Sequence, residues 1–132
     1  MDITPLVKSA IDARGRAYAP YSRFHVGAAV ETEDGRVFAG CNVENAAYPE
    51  GTCAEAGAIA AMVMAGGRQI RRIVVCGGGE AACTPCGGCR QKIREFAAPQ
   101  TQVTMVSASG SVLLVRTLAE LLPDSFGPEN LA

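Results

Sequence analysis

Ile73-Val74-Val75-Cys76 is a short β-branched run with no polar face, and it leads into Thr84-Pro85-Cys86-Gly87-Gly88-Cys89, where Pro85 announces a helix. Such a strand belongs in the centre of a sheet covered by helices on both sides. Upstream, Ile3, Leu6, Val7, Ala10 and Ile11 recur at helical spacing, which predicts a helix over residues 3–16 with Thr4-Pro5 at its start. Val26–Glu33 and Arg36–Cys41 read as two strands joined by a tight Asp34-Gly35 turn. Asn42–Gly51 lacks periodicity and reads as a loop. Ala54–Ala65 is rich in strong helix formers, with Thr52 as the expected N-cap and Gly66-Gly67 as the stop.

Downstream of Pro85 the pattern predicts a helix over Cys86–Phe96 stopped by Ala97-Ala98-Pro99. Strands Gln102–Ser107 and Ser111–Val115 follow around Ser109-Gly110, a connection short enough to make them antiparallel. A short helix over Thr117–Leu122 and a tail over Pro123–Ala132 complete the chain. The order α-β-β-α-β-α-β-β-α predicts an α/β fold: one mixed five-stranded sheet in a three-layer α/β/α arrangement, its last two strands antiparallel. If the helices after Cys53 and Cys86 start on the same side of the sheet, their N-termini form one crevice.

The 132 residues suit a single domain over 1–132, without repeats or a linker. Twelve Lys and Arg against thirteen Asp and Glu give a net charge of −1, which argues against a nucleic-acid partner and for a small molecule. At 48% hydrophobic residues there is material for a full core and for subunit contacts, so a homo-oligomer is expected. No apolar stretch reaches the roughly 18 residues of a membrane span. Met1–Pro5 does not look like a secretory signal, so the six cysteines are expected to be reduced thiols in the cytoplasm.

Cys86 and Cys89, three apart at a helix start, place both sulfurs on one face, with Gly87-Gly88 between them. Alone, such a pair could be redox-active or part of a structural zinc knuckle. Joined to Cys53 in Thr52-Cys53-Ala54-Glu55, it supplies three thiolates for a zinc ion and leaves one position for water, with Glu55 placed to work on that water. Cys83 as a fourth donor would turn the site into a closed structural one, but the residues preceding Pro85 favour extended backbone, outside the helical turn. Glu55 has a second reading, because Thr52-x-x-Glu55 matches a capping box. Cys41 and Cys76 read as small buried apolar residues, and His25 as half-exposed and uninvolved.

Pro20–Ala28, Asn42–Tyr48, Thr52–Glu55, Pro85–Gln91 and Leu121–Phe126 together resemble the small homotetrameric cytidine deaminases, in order and across nearly the whole chain. The resemblance implies one zinc per subunit on Cys53, Cys86 and Cys89, and hydrolysis of cytidine and 2′-deoxycytidine with release of ammonia. It implies Glu55 as the proton carrier to N3 and to the departing amine. Backbone at Ala54 and Thr84 would contact the base, Asn42 and Glu44 the ribose, Phe24 the pyrimidine face, and Phe126 the site of a neighbouring subunit. The sugar pair could instead cap its own loop, and either phenylalanine could be ordinary core. Many relatives follow Cys-Ala-Glu with arginine where this chain has Ala56, so Arg90 is the expected substitute cation beside the sulfurs. Two other readings remain: a deaminase of a different cytosine nucleoside, such as a nucleoside antibiotic, and a zinc-stabilised binding module without catalysis.

Overall fold

A computed structural model describes residues 2–132. Its elements are α1 (Thr4–Arg14), β1 (Gly27–Thr32), β2 (Val37–Cys41), α2 (Ala54–Met64), β3 (Ile70–Cys76), α3 (Gly87–Phe96), β4 (Ala97–Val106), β5 (Val112–Thr117) and α4 (Leu118–Leu121), with single 3-10 turns at Tyr48–Glu50 and Pro128–Leu131. The sheet order is β2-β1-β3-β4-β5. Only β3 and β4 run parallel; the other neighbours are antiparallel.

Alternation along the strands explains the layers. Ala28, Val30, Ile73, Val75, Val103 and Met105 point to the face covered by Ala54, Ala58, Ile59 and Met62 of α2, Ile93 of α3 and Leu118 of α4. Ala29, Val74, Cys76 and Val106 point the other way, onto Leu6 and Ala10 of α1. Both faces of β3 are therefore buried, which is why its sequence shows no polar alternation. Each buried Val or Ile contributes roughly 1.5–3 kcal/mol relative to exposure.

The α2 helix lies unusually close to β2. A Cβ on Gly40 would fall 2.3 Å from the Ala58 amide and 2.5 Å from the Ala54 carbonyl, and Gly57 approaches Gly40 from the helix side. Small residues on both elements let backbone meet backbone, and the contact lies where the first turn of α2 leaves the site.

Several boundaries differ from expectation. The β1–β2 hairpin has a three-residue connection rather than a two-residue one: Thr32 N–H bonds to Arg36 O, and Gly35 takes φ 87°. The β4–β5 connection, as expected from strands ending at Ser107 and starting at Ser111, has the same form, with Ser107 N–H on Ser111 O and Gly110 at φ 93°. In each, the hydroxyl of the leading residue, Thr32 or Ser107, accepts from the amide four residues on. Ala97-Ala98-Pro99 opens β4 instead of forming a loop. Its partners jump from Ile70↔Ala97 to Arg72↔Gln102, so Pro99 sits in a bulge where no ladder donor is needed.

Candidate active site

The parallel β3–β4 pair and the crossover through α3 place the N-termini of α2 and α3 side by side. Cys53 is the N-cap of α2 and Cys86 the N-cap of α3, both in extended backbone. This corrects two expectations: Thr52 precedes the cap, and Cys86 lies just outside the helix. Thr52 instead exchanges two backbone bonds with Val43, 2.9 and 3.0 Å long. The capping box therefore does not form, and Glu55 is free of that duty.

The Sγ atoms of Cys53, Cys86 and Cys89 lie within 4.8 Å of one another, and those of Cys53 and Cys86 are 3.8 Å apart. Zinc–sulfur bonds of about 2.3 Å at tetrahedral angles place sulfurs about 3.8 Å apart, so the donor set fits a zinc ion. Among the described residues this cluster contains no fourth donor, and all six cysteines are free thiols. The Cys89 amide draws the Cys86 thiol toward ionisation, whereas burial pushes the Cys89 thiol strongly up. Binding a cation at the trio therefore displaces protons.

Glu55, in the first turn of α2, is only 4% exposed. Burial raises its carboxyl above the ordinary carboxylate range, opposed by its own amide, the Cys89 thiol and Lys92. Lys92 was not anticipated. It stands one turn beyond Cys89 on α3 and lines a recess with Ala56. The guanidinium of Arg90, the residue expected to supply positive charge, is bonded to two carbonyls: Nε donates to Pro85 O at 2.7 Å and Nη1 to Leu121 O at 2.8 Å. It braces the approach to Cys86 and ties α3 to the end of α4.

A cleft of about 330 Å³ opens beside the sulfurs. Its walls include Phe24, Asn42, Glu44, Ala54, Glu55 and Thr84, together with Cys53 and Cys86. Asn42 and Glu44 share one side of a segment that prolongs β2, pinned between Tyr18 and Thr52 by bridges at Val43. Both side chains also hold the 21–26 loop. Asn42 accepts from Val26 N–H at 2.9 Å and donates to Phe24 O at 2.8 Å. Glu44 accepts from the amides of Tyr21 and Ser22 at 2.9 and 3.1 Å and from the Ser22 hydroxyl. These donors, the Ser22 hydroxyl foremost, hold its carboxyl below the ordinary value.

Phe24 is half exposed at the cleft, so its ring is not core. Phe126 is exposed too and lies outside the cleft walls, beside Gln91 and Glu95, with its carbonyl bonded to Gln91 Nε2. Cys83 also lines the cleft, and burial pushes its thiol up to about 11. Gly77 makes room for it, since a Cβ there would lie 2.5 Å from the Cys83 Cβ. His25 is half-buried, with Nδ1 at 3.1 Å from Arg23 O. Cys76 is buried, as expected, whereas Cys41 is only half-buried.

A family profile for the cytidine and deoxycytidylate deaminase zinc-binding region matches residues 2–105. The chain is 40% identical over 132 residues to a cytidine deaminase of Sporosarcina psychrophila, covering 100% of this chain and 96% of that one. To a cytidine deaminase of Mycobacterium tuberculosis it is 39% identical over 137 residues, covering 99% and 94%. The crystal structure of cytidine deaminase from Burkholderia pseudomallei superposes with a TM-score of 0.88 at 44% identity, covering 96% of this chain and 100% of that one.

Proposed function

Because the chain belongs to the family of zinc-binding cytidine and deoxycytidylate deaminases, we propose that it hydrolyses cytidine and 2′-deoxycytidine to the uridine nucleosides and ammonia. The observation that carries this reading is the meeting, at one cleft, of a three-sulfur donor set, a buried carboxyl and the polar pair Asn42 and Glu44.

Cys53, Cys86 and Cys89 would hold the zinc, which would supply a Lewis acid and a water of lowered pKa. Glu55 would take a proton from that water and pass it to N3 of the pyrimidine as the oxygen bonds to C4; it would then take the proton of the C4 hydroxyl and hand it to the amine, as the C4 carbonyl forms and the C4–N bond breaks with release of ammonia. A carboxyl raised by burial suits this work, because it is a stronger base toward the water's proton than an exposed carboxylate would be. The backbone of Ala54, in the first turn of α2, and of Thr84 orients the base; unpaired amides at a helix start are ready donors for that purpose. Glu44 and Asn42 keep spare hydrogen-bonding capacity for the sugar hydroxyls, and Phe24 packs on the base.

The enzyme acts as a cytoplasmic homotetramer with shared active sites. Supporting this, Tyr48, Met64, Phe126 and Leu131 are all more than half exposed, and Phe126 does not line its own chain's cleft. Among the described residues no helix is long and apolar enough to cross a membrane.

The test is an ultraviolet assay on cytidine with zinc-loaded wild type and Glu55→Gln. Wild type turns over, and the variant loses about 10²-fold or more in kcat while retaining its zinc. Undiminished turnover by the variant removes Glu55 from the reaction, and an inactive zinc-loaded wild type removes the proposal.

A further inference from the structure

One hydroxyl links two residues of the cleft wall, Glu44 and Phe24. Ser22 Oγ donates to Glu44 and accepts from the Phe24 amide at 3.0 Å. The Phe24 carbonyl is held in turn by Asn42 Nδ2 at 2.8 Å. Both backbone polar groups of Phe24 are therefore bound by side chains, and neither bond comes from the sheet. Since the ring itself is half exposed, these bonds rather than core packing place it over the cleft. Between the two residues Arg23 adopts φ 60°, a left-handed conformation that a non-glycine residue keeps only when its surroundings impose it.

At the other end, Glu44 receives three donors: two amides and the Ser22 hydroxyl. An ionised carboxylate offers about four acceptor positions, so this arrangement fixes its orientation and leaves capacity for an incoming hydroxyl. Removing Ser22 would release the carboxylate and the Phe24 amide together.

We infer that Ser22 is a positioning residue for nucleoside recognition, coupling the sugar-facing carboxylate of Glu44 to the aromatic wall of Phe24. The inference rests on the nucleoside reading above and adds a residue whose effect passes through others. Ser22 touches neither the sulfurs nor the carboxyl of Glu55, so its contribution lies in affinity rather than in the chemical step. The coupling also gives a direction: a sugar that engages Glu44 meets a carboxylate already aligned by the same loop that carries Phe24.

The experiment is a calorimetric titration of uridine into the zinc-loaded enzyme, with cytidine turnover and thermal melts recorded alongside. Ser22→Ala raises the Kd of uridine about tenfold, the effect of one charge-assisted hydrogen bond, and leaves kcat within about threefold. In a Glu44→Ala background the same substitution raises Kd by no more than about threefold, because the carboxylate it aligned is gone. Ser22→Thr, which keeps the hydroxyl, stays within about threefold of wild type. Should Ser22→Ala not fold, Ser22→Cys serves in its place, with similar size and a weaker donor.

An unchanged Kd in Ser22→Ala, or an equal loss with and without Glu44, overturns the inference and leaves the deaminase reading intact. Conversely, a wild type that binds uridine but releases no ammonia from cytidine overturns the hydrolytic reading, while the Kd comparison still decides the role of Ser22.

Discussion

The sulfurs of Cys53 and Cys86 lie 3.8 Å apart, although the two residues cap different helices and are 33 positions apart in sequence. Each sits at a helix N-terminus, where the positive end of the backbone dipole favours thiolate. Two such ends facing one point offset part of the negative charge that three thiolates bring, in a chain that lacks an arginine at position 56.

The donor set predicts which cysteines matter for metal. Cys89→Ser loses zinc, measured by elemental analysis, whereas Cys83→Ser retains one zinc per chain, because Cys83 stands outside the sulfur cluster. Chelation of wild type lowers Tm by on the order of 10 °C, since the ion binds the folded chain far more tightly than the open one. A Cys83→Ser protein without zinc contradicts the three-sulfur assignment.

Glu31 predicts a limb of acid sensitivity. Its side chain, 10% exposed on β1, receives Arg72 Nε at 2.7 Å and Arg71 Nε at 3.0 Å, and these arginines, Arg72 foremost, hold its carboxyl down to about 2. The native state thus binds fewer protons than the unfolded chain. The stabilisation is present above the ordinary glutamate value of 4.5 and is lost as pH falls from there through about 2. At neutral pH it amounts to roughly 2 kcal/mol. Urea midpoints against pH fall over this window in wild type, and the fall is shallower in Glu31→Gln.

Gly40→Ala tests the contact between β2 and α2. The new Cβ meets helix backbone at 2.3 Å, which cannot swing aside as a side chain would. The expected loss is about 3 kcal/mol by denaturant unfolding, accompanied by lower activity as the first turn of α2 shifts. A variant with wild-type stability would show that the helix can retreat at little cost.

Arg14 offers a route to greater stability. Its Nε is buried and, among the described residues, has no hydrogen-bond partner. A Cβ on Gly78 would lie 3.0 Å from Arg14 Nη2, the movable end of a long side chain. Gly78→Asp supplies a carboxylate there and is expected to add about 1 kcal/mol, seen as a rise in Tm. A fall in Tm would show that the glycine is needed for the path of the loop.

Much of the architecture was legible because both faces of the sheet are buried. The β-branched run at residues 73–76 and the alternation in residues 102–107 leave little choice of placement. The clustering of the three sulfurs was legible because a metal donor set asks for those residue types at helix starts. The length of the first hairpin was not, since Asp34-Gly35 fits two-residue and three-residue connections alike, and the register of the flanking strands decides between them. The partners of Arg90 were not legible for a similar reason: proximity in sequence to Cys89 does not say that its guanidinium will bind the carbonyls of Pro85 and Leu121. Ser22 carried no visible signal, because a serine in a turn is ordinary and its partner Glu44 lies 22 positions away.

The parallel pairing of β3 with β4 has a consequence for the order of maturation. A growing chain exposes Cys53 early, but α3 acquires its orientation only after β4 has emerged and docked beside β3. Until then the trio of sulfurs is incomplete and any ion is held loosely by one or two of them. A complete three-sulfur site therefore cannot precede the docking of β4 beside β3.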